Sequence, residues 1–130
     1  MNRYYNILGN TTTSLNDART NPIQIERMSL CNTSGSAVTF SIHIESIYIN
    51  ENEIPGAASQ PSKEPLEKYY IVKDLSLLNG QTAIFEELDL IYDITRFDLK
   101  IYSNKTLDAI ITDKNKKYEY INKTAFRRSY

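Results

Sequence analysis

The stretch IQIERMSLCNTSGSAVTFSIHIESIYI, from Ile23 to Ile49, decides the fold. In its second half Val38, Phe40, Ile42 and Ile44 alternate with Thr39, Ser41, His43 and Glu45. A strict period of two places one apolar face inward and one polar face outward, the signature of a half-buried antiparallel strand. The first half offers Ile23 and Ile25, then Met28 and Leu30, so the apolar phase slips by one residue at Glu26-Arg27, as at a β-bulge. Between the halves Cys31-Asn32-Thr33-Ser34-Gly35-Ser36 supplies small polar residues and a glycine able to take positive φ. The stretch therefore predicts two long strands folded back on each other.

Working outward, Arg3 to Leu8 is short, aromatic and β-prone, and the polar GNTTTSLNDARTNP that follows reads as a long connecting arm and a candidate contact segment. After Ser46 the phase shifts again, where the strand ends or passes to another sheet. Residues 51 to 66, with Pro55, Pro61, Pro65 and Gly56, can neither keep a ladder nor bury a face and predict a surface loop. Lys68 to Leu78 is β-rich, and Asn79-Gly80 before Gln81 to Phe85 is a strong hairpin signal. Glu86 to Arg96 favours a strand plus turn over one helical turn. A third hairpin is expected from Phe97-Leu99-Ile101 and Leu107-Ala109-Ile111, turning at Asn104-Lys105.

Seven or eight such strands predict an all-β fold: an antiparallel two-sheet β-sandwich, jelly-roll or immunoglobulin-like, with extended N- and C-terminal arms. The domain spans residues 1 to 113 and carries the proline-rich surface loop, and 114 to 130 form a basic, aromatic C-terminal arm.

The chain's 130 residues suit one domain with a sizeable core. One cysteine, Cys31, excludes an intrachain disulfide framework and multi-cysteine zinc signatures, and it reads as a small packed hydrophobe. A net charge of −1 gives no global field to draw nucleic acid or an anionic membrane. The opening MNRYYNILGN lacks the apolar run of a signal peptide, and no segment approaches a membrane span, so a soluble, unprocessed chain is expected.

The sequence offers little for catalysis. Its one histidine, His43, reads as an outward-facing strand residue, and Glu86, Glu87 and Asp89 read as a solvated rim rather than an acid/base pair. There is no phosphate-cradling glycine loop, nucleophile elbow or calcium-binding loop. No enzyme activity, metal or cofactor is expected.

The tail gathers Lys114, Lys116, Lys117, Lys123, Arg127 and Arg128 among Tyr118, Tyr120, Phe126 and Tyr130. Three readings fit: an arm docking on an acidic protein surface, a solvated terminus, or a nucleic-acid contact. The docking reading is preferred, with Lys116, Lys117, Tyr118, Tyr120, Phe126, Arg127, Arg128 and Tyr130 as partner-docking residues.

Tyr5-Asn6-Ile7-Leu8-Gly9 with Thr11-Thr12-Thr13, the run from Ile25 to Ile42, Tyr69 to Asp74 with Asn79-Gly80-Gln81-Thr82, and the closing strands from Phe97 to Ile111 together carry a resemblance. They are similar to small virion structural proteins of tailed bacteriophages, notably marine phages of cyanobacteria, over residues 4 to 112. The 51 to 66 loop, the tail and the acidic Glu86-Glu87-Leu88-Asp89 run depart from that pattern. The resemblance implies a β-sandwich mounted on a particle, without catalysis. The expected function is thus a virion component on capsid, neck or collar, or tail, made in the host cytoplasm. It would be present in symmetric copies with other virion proteins as partners, away from membranes and with nucleic acid an unfavoured partner. The alternative is a carbohydrate- or receptor-binding sandwich of a tail fibre or tip, with Tyr48, Tyr69 or Tyr70 as stacking platforms.

Overall fold

The computed structural model describes residues 2–20, 22–47 and 67–114. Eight strands follow in order: β1 (Asn2–Ile7), β2 (Thr11–Asn16), β3 (Ile25–Cys31), β4 (Val38–Ser46), β5 (Lys68–Leu77), β6 (Thr82–Glu86), β7 (Phe97–Ser103) and β8 (Leu107–Asp113). They form two four-stranded antiparallel sheets, ordered β1-β8-β3-β6 and β2-β7-β4-β5. The all-β sandwich expected from the alternation is present.

The pairing has a simple generator. β1 pairs with β8, β2 with β7, β3 with β6 and β4 with β5, as in one long two-armed ribbon bent round at the β4–β5 connection. Rolling that ribbon brings β8 beside β3 and β7 beside β4, which completes both sheets. This winding is the jelly roll, so of the two sandwich types expected the strand order selects the first.

The winding corrects the three hairpins read from the sequence. β3 and β4 lie in different sheets, as do β5 and β6, and β7 and β8. Each turn signal is real, but each marks a crossing between layers. At Asn79-Gly80 the physical reason is visible. Gly80 takes φ 83° while Asn79 does not enter the positive-φ region, and the Gln81 N–H donates to the Leu78 carbonyl at 3.0 Å. That is a type II turn; a tight hairpin of type I′ needs positive φ at both central residues.

The strand registers place the crossings after β1, β3, β5 and β7 at one end of the sandwich. Buried Asn32 ties two of them together. Its Nδ2 donates to the carbonyls of Ser36 (2.7 Å) and Leu77 (3.0 Å), and its own carbonyl accepts from the Gly80 N–H at 2.8 Å. The other two crossings touch at Gly9, where a Cβ would meet the Lys105 Cα at 2.8 Å, so only glycine fits the approach.

Two further expectations are corrected. The polar connection after Leu8 contains β2, because Leu15 drops into the core and the threonines before it complete a ladder with β7. The Glu86 to Arg96 region forms a single 3-10 turn, Glu87–Leu90, instead of a strand. The Asp89 Oδ2 accepts the Glu86 N–H at 2.9 Å, and Leu90 is buried, so this acidic rim acts as a turn stop anchored by one apolar residue. The bulge read at Glu26-Arg27 is present as a register shift between Ile25 and Arg27 opposite β8.

The core fills the space between the sheets. Ile7, Met28, Leu30, Ala109 and Ile111 from the first sheet meet Leu15, Phe40, Ile42, Leu99 and Ile101 from the second, all essentially inaccessible to water. Phe40 meets Phe85 edge-on across the gap, with ring centroids 6.3 Å apart. At the end opposite the crossings above, Arg3 pairs with Asp113 of the adjacent strand in its own sheet and reaches across to β2 of the other. Arg3 Nε and Nη2 each donate to Asp113 at 2.7 Å, and Nη1 donates to the Leu15 carbonyl and, at 2.9 Å, to the Tyr5 hydroxyl.

Candidate functional site

With the inner faces committed to the core, chemistry is left to the two outer faces. On the first sheet the registers align Tyr4, Ile110, Ser29 and Ile84 into one row across all four strands. Tyr4, Ile110 and Ile84 are each about half exposed or more, and small Ser29 leaves a shallow dip between the two isoleucines. Polar rows flank it: Asn2, Thr112, Arg27 and Glu86 on one side, and Asn6, Asp108, Cys31 and Thr82 on the other. Cys31, expected as a packed hydrophobe, sits half-buried in the second of these rows as a free thiol.

The second sheet carries a more structured surface. One row runs Thr12, Tyr102, Ser41 and then the Lys73-Asp74 segment of β5; the next runs Ser14, Lys100, His43 and Tyr70; Asp98, Glu45 and Lys68 follow. The pairing of β5 with β4 slips by one residue twice, once between Val72 and Leu75 and once between Tyr70 and Val72. These bulges break simple alternation, so Lys68, Tyr70, Lys73 and Asp74 all line one cleft with Thr12, Ser41, His43 and Tyr102. Asp74 holds φ 54°, and its N–H donates to the Ser41 Oγ at 2.9 Å, which fixes the bulge to β4.

Charge converges here. The Nζ atoms of Lys68 and Lys73 lie 5.0 and 4.7 Å from the Tyr70 ring centroid, and the His43 ring is 5.7 Å from the same ring. A cation over an aromatic face is attracted by the ring quadrupole. Lys100 Nζ donates to Glu45 Oε2 at 3.0 Å, and Glu45 Oε1 lies 3.5 Å from His43 Nε2. That last separation is at the outer limit of hydrogen-bond reach, and Nε2 has no hydrogen-bond partner among the described residues.

His43 is on the outward side of its strand, as expected, but it is only 4% exposed, covered by its cross-strand neighbours. Burial, with the positive charge of Lys68, pushes its pKa below the usual value; Glu45 opposes this without cancelling it. Burial raises the Glu45 carboxyl, but the hydrogen bond and charge of Lys100 outweigh it and hold Glu45 below its usual value.

The sign for stability follows. A histidine whose pKa is depressed on folding favours the neutral form, so its contribution is complete above the ordinary value of about 6.5. It is lost as pH falls below that value and through the depressed one, with a slope of no more than about 1.4 kcal/mol per pH unit. Thermal melts from pH 7.5 to 5 are expected to show this loss, and His43→Gln to flatten it. Glu45, also depressed, acts only in a lower window, below the usual carboxylate range. A wild-type curve with no slope between pH 7 and 5 would remove the assignment.

The residues singled out in the sequence are placed unevenly. Lys116, Lys117, Tyr118, Tyr120, Phe126, Arg127, Arg128 and Tyr130 lie outside the described residues, as do Tyr48 and the 51 to 66 loop. Tyr69 packs edge-on against Phe97 at 6.0 Å, and its hydroxyl donates to Glu67 at 2.9 Å. Tyr70 lines the cleft, where it gathers cations. Lys68, Lys73, Ser41 and Asp74 were not foreseen, and their one visible signal is the K-Y-Y-I-V-K-D run opposite a histidine strand. Among the described residues no group of three or more His, Cys, Asp or Glu is placed to hold a metal ion, and no helix is long and apolar enough to cross a membrane.

No protein-family model matches the sequence, and no curated protein matches it. Among solved structures the chain is similar to one from the crystal structure of the T13 IBDV viral particle. The identity is 12% and the TM-score 0.44, over 86% of this chain and 29% of that one. The chain thus spans under a third of that protein's length, and the jelly-roll assignment rests on the strand order itself.

Proposed function

We propose that the chain is a non-enzymatic structural subunit of a virion, specifically of a tailed phage, present in symmetric copies on the capsid, neck or tail. Double-sheet jelly rolls recur as viral capsid domains, and also as lectins and cupins, so the winding admits the role without choosing it. The observation that carries the choice is the apolar row Tyr4, Ile110 and Ile84 across the whole outer face of the first sheet. A flat face with an apolar centre and polar margins is the anatomy of a protein–protein interface. Repetition by symmetry lets modest single contacts hold such a subunit, because each copy is also retained by its neighbours. The basic, aromatic segment 115 to 130 is the second attachment element in this reading.

The test is particle composition. Mass spectrometry of purified virions is expected to recover the chain in many copies, and its absence would overturn the reading. A variant ending at Lys114 keeps β8 and the Lys114–Glu87 ion pair at 3.0 Å. It is expected to melt within a few degrees of the full chain yet to be absent from particles. Normal incorporation of that variant would remove the docking role of the tail.

A further inference from the structure

We propose that the cleft over His43 on the outer face of the second sheet binds an acidic saccharide, a sugar carrying a carboxylate. This goes beyond the particle role and does not depend on it.

Three observations carry the proposal. First, Lys68 and Lys73 bring two ammonium groups to the same Tyr70 ring, and neither makes an ion pair among the described residues. The cleft holds one carboxylate of its own, Asp74, against these two ammonium groups, and a ligand carboxylate accepts hydrogen bonds from both at once. The neighbouring cation Lys100 is already occupied by Glu45, so the anion-binding capacity lies at the Lys68–Lys73 end.

Second, His43 is buried under this cleft with a ring nitrogen, Nε2, whose nearest acceptor is Glu45 Oε1 at 3.5 Å, too long for a good hydrogen bond. A buried polar atom held only this loosely is uncommon.

Third, the remaining lining suits a sugar rather than a bare ion. Beyond the ammonium groups the cleft offers the Thr12 hydroxyl, the Asp74 carboxylate and the Tyr102 hydroxyl. The last donates to Asn10 at 3.3 Å and keeps its lone pairs for a ligand, while Ser41 is engaged by Asp74. Sugar hydroxyls need such mixed donors and acceptors, and an aromatic wall such as Tyr102 covers the apolar face of a pyranose. Asp74 is held by its positive-φ backbone and by Ser41, so its carboxylate is set before any ligand arrives. The cleft is half open to solvent and holds about 340 Å³, at the lower end of the range for small-molecule sites. In this arrangement the ligand carboxylate lies between Lys68 and Lys73, and the ring lies towards Tyr102 and Thr12.

The experiment titrates the full chain with three probes, following the His43 imidazole signals by NMR. The probes are a glucuronate-containing disaccharide, the same disaccharide with its carboxyl reduced to an alcohol, and inorganic sulfate. The acidic disaccharide is expected to shift the signals saturably. The reduced disaccharide, and the acidic one on Lys73→Ala, should bind about tenfold more weakly or worse, the worth of one charge-assisted hydrogen bond. The Lys68→Ala/Lys73→Ala double variant should show no saturable shift. Both lysines are exposed, so the variant melts as the parent does, which separates lost binding from lost folding. Equal affinity for the acidic and reduced disaccharides, or saturable binding that survives the double variant, overturns the proposal. Sulfate binding as tightly as the acidic disaccharide overturns the saccharide assignment in favour of a simple anion site. Lost binding in the double variant leaves the particle role standing, and absence of the chain from virions leaves the binding result standing, so the two fail separately.

Discussion

Replacing Phe40 by alanine is expected to cost about 4 kcal/mol, the usual range for a buried phenylalanine emptied to alanine being about 3–5. For a chain of this size that is a fall in melting temperature of about 15 °C. Phe40 is 1% exposed and sits on β4 with Leu75 and Ser103 as its cross-strand neighbours. Its ring stands edge-on to Phe85 of the opposite sheet, so truncation removes both transferred area and a ring contact between the layers. The neighbours are strand residues held by ladders, so they cannot collapse into the space. Phe40→Leu keeps most of the volume and should cost under about 1.5 kcal/mol. Urea unfolding of the two variants reads the difference, and similar midpoints for both would show that Phe40 is not packed between the sheets.

The second large effect is expected at Arg3. Its side chain is 24% exposed and that of Asp113 5%, and the two form a bidentate pair between β1 and β8. Arg3 also donates to the Leu15 carbonyl of β2, so one side chain closes the end of the sandwich across both sheets. Burying two charges is expensive, and such a pair adds little net stability compared with an apolar substitute. Removing one member is different, because it strands the other. Arg3→Ala leaves the Asp113 carboxylate buried and unpaired, which should cost about 3 kcal/mol, near the lower end for a broken buried pair because Arg3 keeps some solvent. Arg3→Met with Asp113→Leu should recover most of that loss. A double-mutant cycle in urea measures the coupling, and additive single effects would show that the pair does not act as a unit.

The sequence carried the faces better than the partners. The alternation from Val38 to Glu45 fixed which side chains of β4 meet the core, and the phase slip at Glu26-Arg27 located a real bulge. Neither pattern records which strand lies alongside. A turn at Asn79-Gly80 looks the same on paper whether the chain returns to its own sheet or crosses to the other; the sign of φ at Asn79 decides it, and Asn79 tolerates both. β2 was missed because Thr11 to Asn16 offers one apolar residue, Leu15, to a ladder whose regularity comes from β7. The candidate site was hidden for a related reason. His43 is covered by Tyr70 through cross-strand pairing, and Lys73 joins Lys68 on one face only because β5 bulges between them.

The ribbon winding also bears on how the molecule reaches its native state. Asn2 faces Thr112, and Thr11 faces Ser103, so those ladders can form only after nearly the whole intervening chain has been gathered in. The β4–β5 pair has the nearest partners in sequence and is the natural place for assembly to begin, with β3–β6, β2–β7 and β1–β8 zipping on in that order. Contacts of such high order place this topology among slow two-state folders, with relaxation in milliseconds to seconds. Until β8 arrives, the apolar edge of β3 stays unprotected, and the concentration at which the chain is refolded sets how much of it finds another copy first.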